Sequence, residues 1–170
     1  MRAGHPDDHY REWEAHVGRV IVRFGEIEYI TVKCLEVLPR DRIAASTARM
    51  PFAQRASLLL EILEGRGTSS EHIEGLQRAL TQARQLAEKR NLIAHNPVML
   101  EIYTNEDETQ ARTQFAIASA RGGGKAITLD ELKELSAEID DLAACMWTCF
   151  SNEVGTSEHM WREQGPGHGT

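Results

Sequence analysis

The chain has no long hydrophobic run, few cysteines and little positive charge in its second half, and each shortage closes off a class of protein. Its uninterrupted apolar stretches are only a few residues long, far short of the roughly 20 that a membrane-spanning helix needs. Met1 to Asp8 is polar and offers no apolar core for a secretory signal. Three cysteines, an odd number at scattered positions, read as reduced thiols rather than as a disulfide framework. A cytoplasmic protein with no membrane partner is expected.

The net charge of −7 argues against a sequence-blind nucleic-acid coat, which needs a broad basic surface. The charge is unevenly spread, however. Residues 1–100 carry 14 Lys/Arg against 13 Asp/Glu, whereas residues 101–170 carry 5 against 13. Arg78, Arg84, Lys89 and Arg90 follow one another in the first half, which is compatible with a local anion site.

Other devices are missing too. Gly122-Gly123-Gly124-Lys125 lacks the full phosphate-loop pattern and reads as a linker. Cys145 and Cys149 are four apart on one helix face, but no second close pair completes a zinc spacing, so they read as small core residues. Glu106, Asp107 and Glu108 read as a solvated turn rather than a cation site. No Ser-His-Asp order, paired carboxylates or internal repeat stands out. No metal and no cofactor are expected.

What is present is a globular composition, with 41% hydrophobic and 26% charged residues in 170, enough for one domain with its own core. From His9 to Leu38, Trp13, Val17, Val20, Phe24, Ile27, Ile30, Cys34 and Leu38 recur at helical spacing, and Pro39 ends the run. His9, Trp13, His16 and Val20 share one face there, which reads as a helix face at the core margin. Gly25, beside Phe24, is a candidate for close helix contact. A short helix is expected over residues 41–49 and a longer one from Pro51 to Leu63, ended by Gly65.

The next helix opens at Ser69 or Ser70, which can cap it, with Glu71 and Glu74 in its first turn. It ends at Asn96-Pro97, because the residue before a proline is pushed out of helical geometry. The period then changes to two: Val98, Leu100 and Ile102, then Thr113, Phe115 and Ile117, predict a two-stranded hairpin over about 98–119. Thr128 and Glu131 form a capping box for a last helix whose stripe is Leu132, Leu135, Ile139, Leu142, Ala143, Met146 and Phe150. Residues 155–170 are polar and glycine-rich and predict a disordered tail. The expected fold class is mainly α: an up-and-down helical bundle over residues 1–154 with a β-hairpin inserted before the last helix.

Arg90, Asn91 and His95 lie in the last turns of the third long helix. A histidine titrates near neutrality and exchanges protons, and a guanidinium matches phosphate geometry. On an ideal helix Asn91 and His95 are about 40° apart, but Arg90 and His95 are about 140° apart and do not share a face. A second copy across a two-fold axis would complete the grip.

Arg90-Asn91-x-x-x-His95 on a bundle helix resembles the signature of the HEPN superfamily, an arginine, a polar residue and a histidine after four to six intervening positions. The resemblance covers about residues 9–96 and 128–150. It implies a metal-independent endoribonuclease working on RNA as a homodimer, as a toxin or antiviral defence effector. His95 would act as general base on the ribose 2′-hydroxyl or as acid on the leaving 5′-oxygen. Arg90 would stabilise charge on the phosphorus, and Asn91 would orient the histidine or the phosphate. Some family toxins carry a tyrosine two residues after the histidine, modified by an antitoxin; here Pro97 stands there, so that form of control is not expected, while an antitoxin or regulatory protein stays among the partners the resemblance implies. The competing reading is non-catalytic. Arg90 would then be a helix-end charge and His95 a cap on the last carbonyls of a helical module that binds a nucleotide or a protein.

Overall fold

The computed structural model describes residues 6–38, 44–47, 49–66, 70–104, 111–119 and 126–163. The elements run in the order α1 (Pro6–Val37), α2 (Ala44–Thr47), α3 (Phe52–Glu64), α4 (Glu71–His95), β1 (Val98–Thr104), β2 (Ala111–Ile117), β3 (Ile127–Thr128) and α5 (Leu129–Glu163). The chain is mainly helical, with a small antiparallel sheet placed before the last helix. No helix among the described residues is long and apolar enough to cross a membrane.

The caps explain where the helices begin. The Ile73 amide donates to Ser70 Oγ at 3.1 Å, so Ser70 caps α4. Thr128 and Glu131 form the reciprocal box that opens α5: the Thr128 amide donates to Glu131 Oε2 at 2.8 Å, and the Glu131 amide returns a bond to Thr128 Oγ1 at 3.3 Å. Pro51 precedes α3, and its carbonyl accepts from the Gln54 and Arg55 amides. The short helix expected over 41–49 is reduced to Ala44–Thr47. The Pro39 stop, the acidic turn at 106–108 and the linker at 122–125 lie outside the described residues.

Two expectations change. The hairpin gains a third strand: β1 pairs with β2 from Val98↔Ile117 to Thr104↔Ala111, and β3 adds Ala116↔Thr128 and Ile117↔Ile127. Two residues are too short a run for period-two patterning to register. The last helix also does not stop at residue 155. It continues through Gly155 to Glu163, a segment whose Glu158, Met160, Trp161 and Arg162 include good helix formers, while one interior glycine costs only about 1 kcal/mol.

The chain divides into two compact units. One comprises residues 1–24 and 86–140, the other 25–85 and 141–170. In the first, Trp13, Val20 and Phe24 of α1 are buried, as are Ile93 of α4, Ala116, Ile117 and Ile127 of the sheet, and Leu132, Leu135 and Ile139 of α5. Tyr10 meets Phe115 edge to face at 6.0 Å. Asp140 receives both Arg19 and Arg23, the latter at 2.8 Å. In the second unit the buried residues include Ile27, Ile30 and Leu35 of α1, Leu59 and Leu63 of α3, Leu76 and Leu80 of α4, and Leu142 and Met146 of α5. Ser70 Oγ donates to Glu153 Oε2 at 3.0 Å, and Arg66 stands 3.6 Å from the same carboxylate.

Burial along the sheet fades with distance from its base. Ile117 is buried, whereas Leu100 is 50% and Ile102 65% exposed. The alternation seen in the sequence is real, but β1 is an edge strand of the described sheet, and its outer residues Leu100 and Ile102 are exposed.

Candidate functional site

Arg90, Asn91 and His95 occupy the C-terminal turns of α4. That region of the helix is fixed from one side by Ile93, which is buried, and from its end by Asn96, whose Nδ2 donates to the Leu92 carbonyl at 2.8 Å. The capping role that the non-catalytic reading gives to His95 is thus filled by its neighbour. His95 itself is exposed, and among the described residues no hydrogen bond or ion pair engages its imidazole.

Arg90 takes a different direction. Its guanidinium lies over the ring of Phe24, 5.1 Å from the centroid, a cation–π arrangement worth about 0.5–2 kcal/mol according to how far it is desolvated. Its Nη1 donates to Asn91 Oδ1 at 3.0 Å. Arg90 is half-buried while Asn91 is exposed. A single chain therefore holds the arginine in place and leaves the histidine open. The rise of about 1.5 Å per residue and the 140° offset set them apart, as the helical angles predict.

The other constellations resolve as follows. Trp13 and Val20 are buried and His16 is half-buried, so that face of α1 belongs to the core and its margin. Trp13 Nε1 and His16 Nδ1 are buried with no hydrogen-bond partner among the described residues. A Cβ built at Gly25 would meet nothing within 4 Å among the described residues, so Gly25 makes no close helix contact there. The glycine that does is Gly75, where a Cβ would fall 2.7 Å from Cys149 Sγ.

Cys145 is exposed and Cys149 half-buried, so the two are not both core residues. Burial raises the Cys149 thiol above its usual pKa, Cys145 adds to that through charge and a thiol hydrogen bond, and the Arg78 guanidinium works against it. Cys34 is fully buried, and desolvation pushes its thiol up to about 12.

Among the described residues no three His, Cys, Asp or Glu side chains converge as a metal-binding group. A groove of about 690 Å³ opens between α3 and α4, lined by Leu60, Gln77, Thr81, Gln82 and Arg84 among others, and none of Arg90, Asn91 or His95 lines it. Nothing in the sequence marked it, because its residues are ordinary polar helix positions. Comparison with known protein families, characterised proteins and solved structures finds no match.

Proposed function

We propose that this chain is a metal-independent endoribonuclease of the HEPN type, an up-and-down helical bundle whose working site forms when two copies bring their α4 ends together. One observation carries the reading: His95 is exposed with an unengaged imidazole, while Arg90, five positions upstream, is oriented by Phe24 and Asn91. A proton carrier that is open beside a guanidinium that is pre-positioned suits phosphodiester chemistry.

In that chemistry the His95 imidazole takes the ribose 2′-hydroxyl proton. The freed oxygen attacks the adjacent phosphorus, and the bond from phosphorus to the 5′-oxygen breaks. An imidazolium, supplied by the second copy, protonates the departing 5′-oxygen. The products are a 2′,3′-cyclic phosphate and a 5′-hydroxyl. Arg90 faces the equatorial phosphate oxygens as negative charge grows there, and Asn91 holds its Nη1 edge. The biological setting proposed is toxin or antiviral defence, with RNA as substrate and a cytoplasmic site of action.

The test uses a fluorescence-quenched RNA in EDTA. Wild type should cleave it, and His95→Ala and Arg90→Ala should not. Mixing the two inactive variants should restore no activity, because the mixed dimer holds one imidazole where the step takes one from each copy. No cleavage by wild type, or equal cleavage by His95→Ala, sinks the proposal.

A second reading has its own observation. Leu100 and Ile102 are exposed on the edge strand β1, and an apolar strand edge suits pairing with another chain. A non-catalytic dimerisation or protein-binding module would use that edge and leave RNA intact in the same assay.

A further inference from the structure

Gly75 sits in the interior of α4, where glycine costs about 1 kcal/mol relative to alanine. The structure shows what occupies the space it leaves. A Cβ at that position would be 2.7 Å from Cys149 Sγ, a separation that forces something to move, and 4.0 Å from Arg78 Nη2. The bare backbone of α4 thus seats a sulfur of α5, with a guanidinium alongside. One turn back along α5, Cys145 is exposed, four residues from Cys149 on the same helix.

Two thiols at this spacing suit a bridging atom better than a direct bond. Residues four apart on a helix have Cβ atoms about 5–6 Å apart, whereas a disulfide needs about 3.5–4.5 Å. Closing the S–S bond would require the helix to give by ~1–2 Å. Metal–sulfur bonds of ~2.3 Å let a bridged pair stand up to about 4.6 Å apart, within reach of unstrained helical side chains.

The ligand count selects the metal class. Among the described residues no third His, Cys, Asp or Glu joins the pair, which leaves tetrahedral zinc short of ligands. A soft monovalent ion accepts two thiolates in a near-linear arrangement, and thiolates favour Cu(I). Binding releases two thiol protons and leaves a bis-thiolate complex with one net negative charge, which Arg78 stands beside.

We propose that Cys145 and Cys149, with Gly75 making room and Arg78 offsetting charge, form a two-thiolate site for a soft monovalent metal ion, with Cu(I) as the representative. The site is independent of the ribonuclease reading.

The test is an anaerobic titration of the full chain against Cu(I) held by a chromogenic Cu(I) chelator. Wild type should withdraw one Cu(I) per chain without changing its oligomeric size. Cys145→Ser and Cys149→Ser should each lose that competition, and Cys34→Ser, altered in the core rather than at the site, should retain it. Gly75→Ala, which crowds the sulfur while keeping both thiols, should bind more weakly. Cys145 is exposed, so Cys145→Ser should keep the wild-type circular dichroism spectrum and isolate the loss of the ligand. Failure of wild type to withdraw Cu(I), equal withdrawal by Cys145→Ser and wild type, or one Cu(I) shared between two chains would overturn the proposal. So would binding of Zn(II) with equal strength.

Discussion

The Arg90 guanidinium rests 5.1 Å from the centre of the Phe24 ring, so the arginine of the candidate site is braced against the buried face of another helix. The contact gives Arg90 a fixed posture that its own helix could not supply. A double-mutant cycle measures it. Phe24→Leu and Arg90→Met, singly and together, should show a coupling of about 0.5–1 kcal/mol in urea unfolding. Additive effects would show that the ring does not hold the guanidinium.

His95 and Asn96 should separate cleanly in stability. His95 is exposed and unengaged, so His95→Ala should move the unfolding free energy by no more than about 0.5 kcal/mol. Asn96 donates to the Leu92 carbonyl, and Asn96→Ala should cost about 0.5–1.5 kcal/mol. Thermal melts of the two variants check the pair. A large loss for His95→Ala would make it a structural residue.

The start of α5 rests on the Thr128–Glu131 box. Thr128→Ala should destabilise by about 1 kcal/mol, read as a lower urea midpoint at unchanged slope. Thr128→Ser keeps the hydroxyl and should recover most of that loss.

Cys34 should make stability fall in alkaline solution. Burial raises its thiol from 9.0 to about 12, so the folded chain keeps a proton that the unfolded chain gives up. This contribution is fully present below pH 9.0 and drains away as the pH rises toward about 12. Urea midpoints measured from neutral pH to about pH 10 should therefore fall less steeply in Cys34→Ala than in wild type. Cys34 should also resist iodoacetamide until the chain unfolds.

Long-period patterns in the sequence carried most of the fold. The stripe from Trp13 to Leu38, the Ser70 cap and the Thr128–Glu131 box are strong local signals, and the corresponding helices lie where they point. The short strand at Ile127–Thr128 left no such signal, and neither did the passage of α5 through Gly155. The offset of Arg90 from His95 followed from helical geometry alone, but the brace from Phe24 joins residues far apart in sequence. Gly75 was missed for the same reason. A glycine amid helix formers looks like a minor cost until the sulfur opposite it is located. Gly18 and Gly25, equally visible in the sequence, face open space.

The division into two compact units has a consequence for how the chain acquires its structure. Each unit is assembled from two separated stretches, residues 1–24 with 86–140 and residues 25–85 with 141–170. Neither can close until well over a hundred residues have been made, and loop closure must precede most of the contacts that reward it. In the order of synthesis the first unit has all its residues once residue 140 is made, before the second has its last stretch. A cut anywhere within residues 25–140 divides both units between the two pieces, whereas one after residue 140 divides only the second. Half-length fragments, which leave both units divided, should associate with each other rather than fold apart.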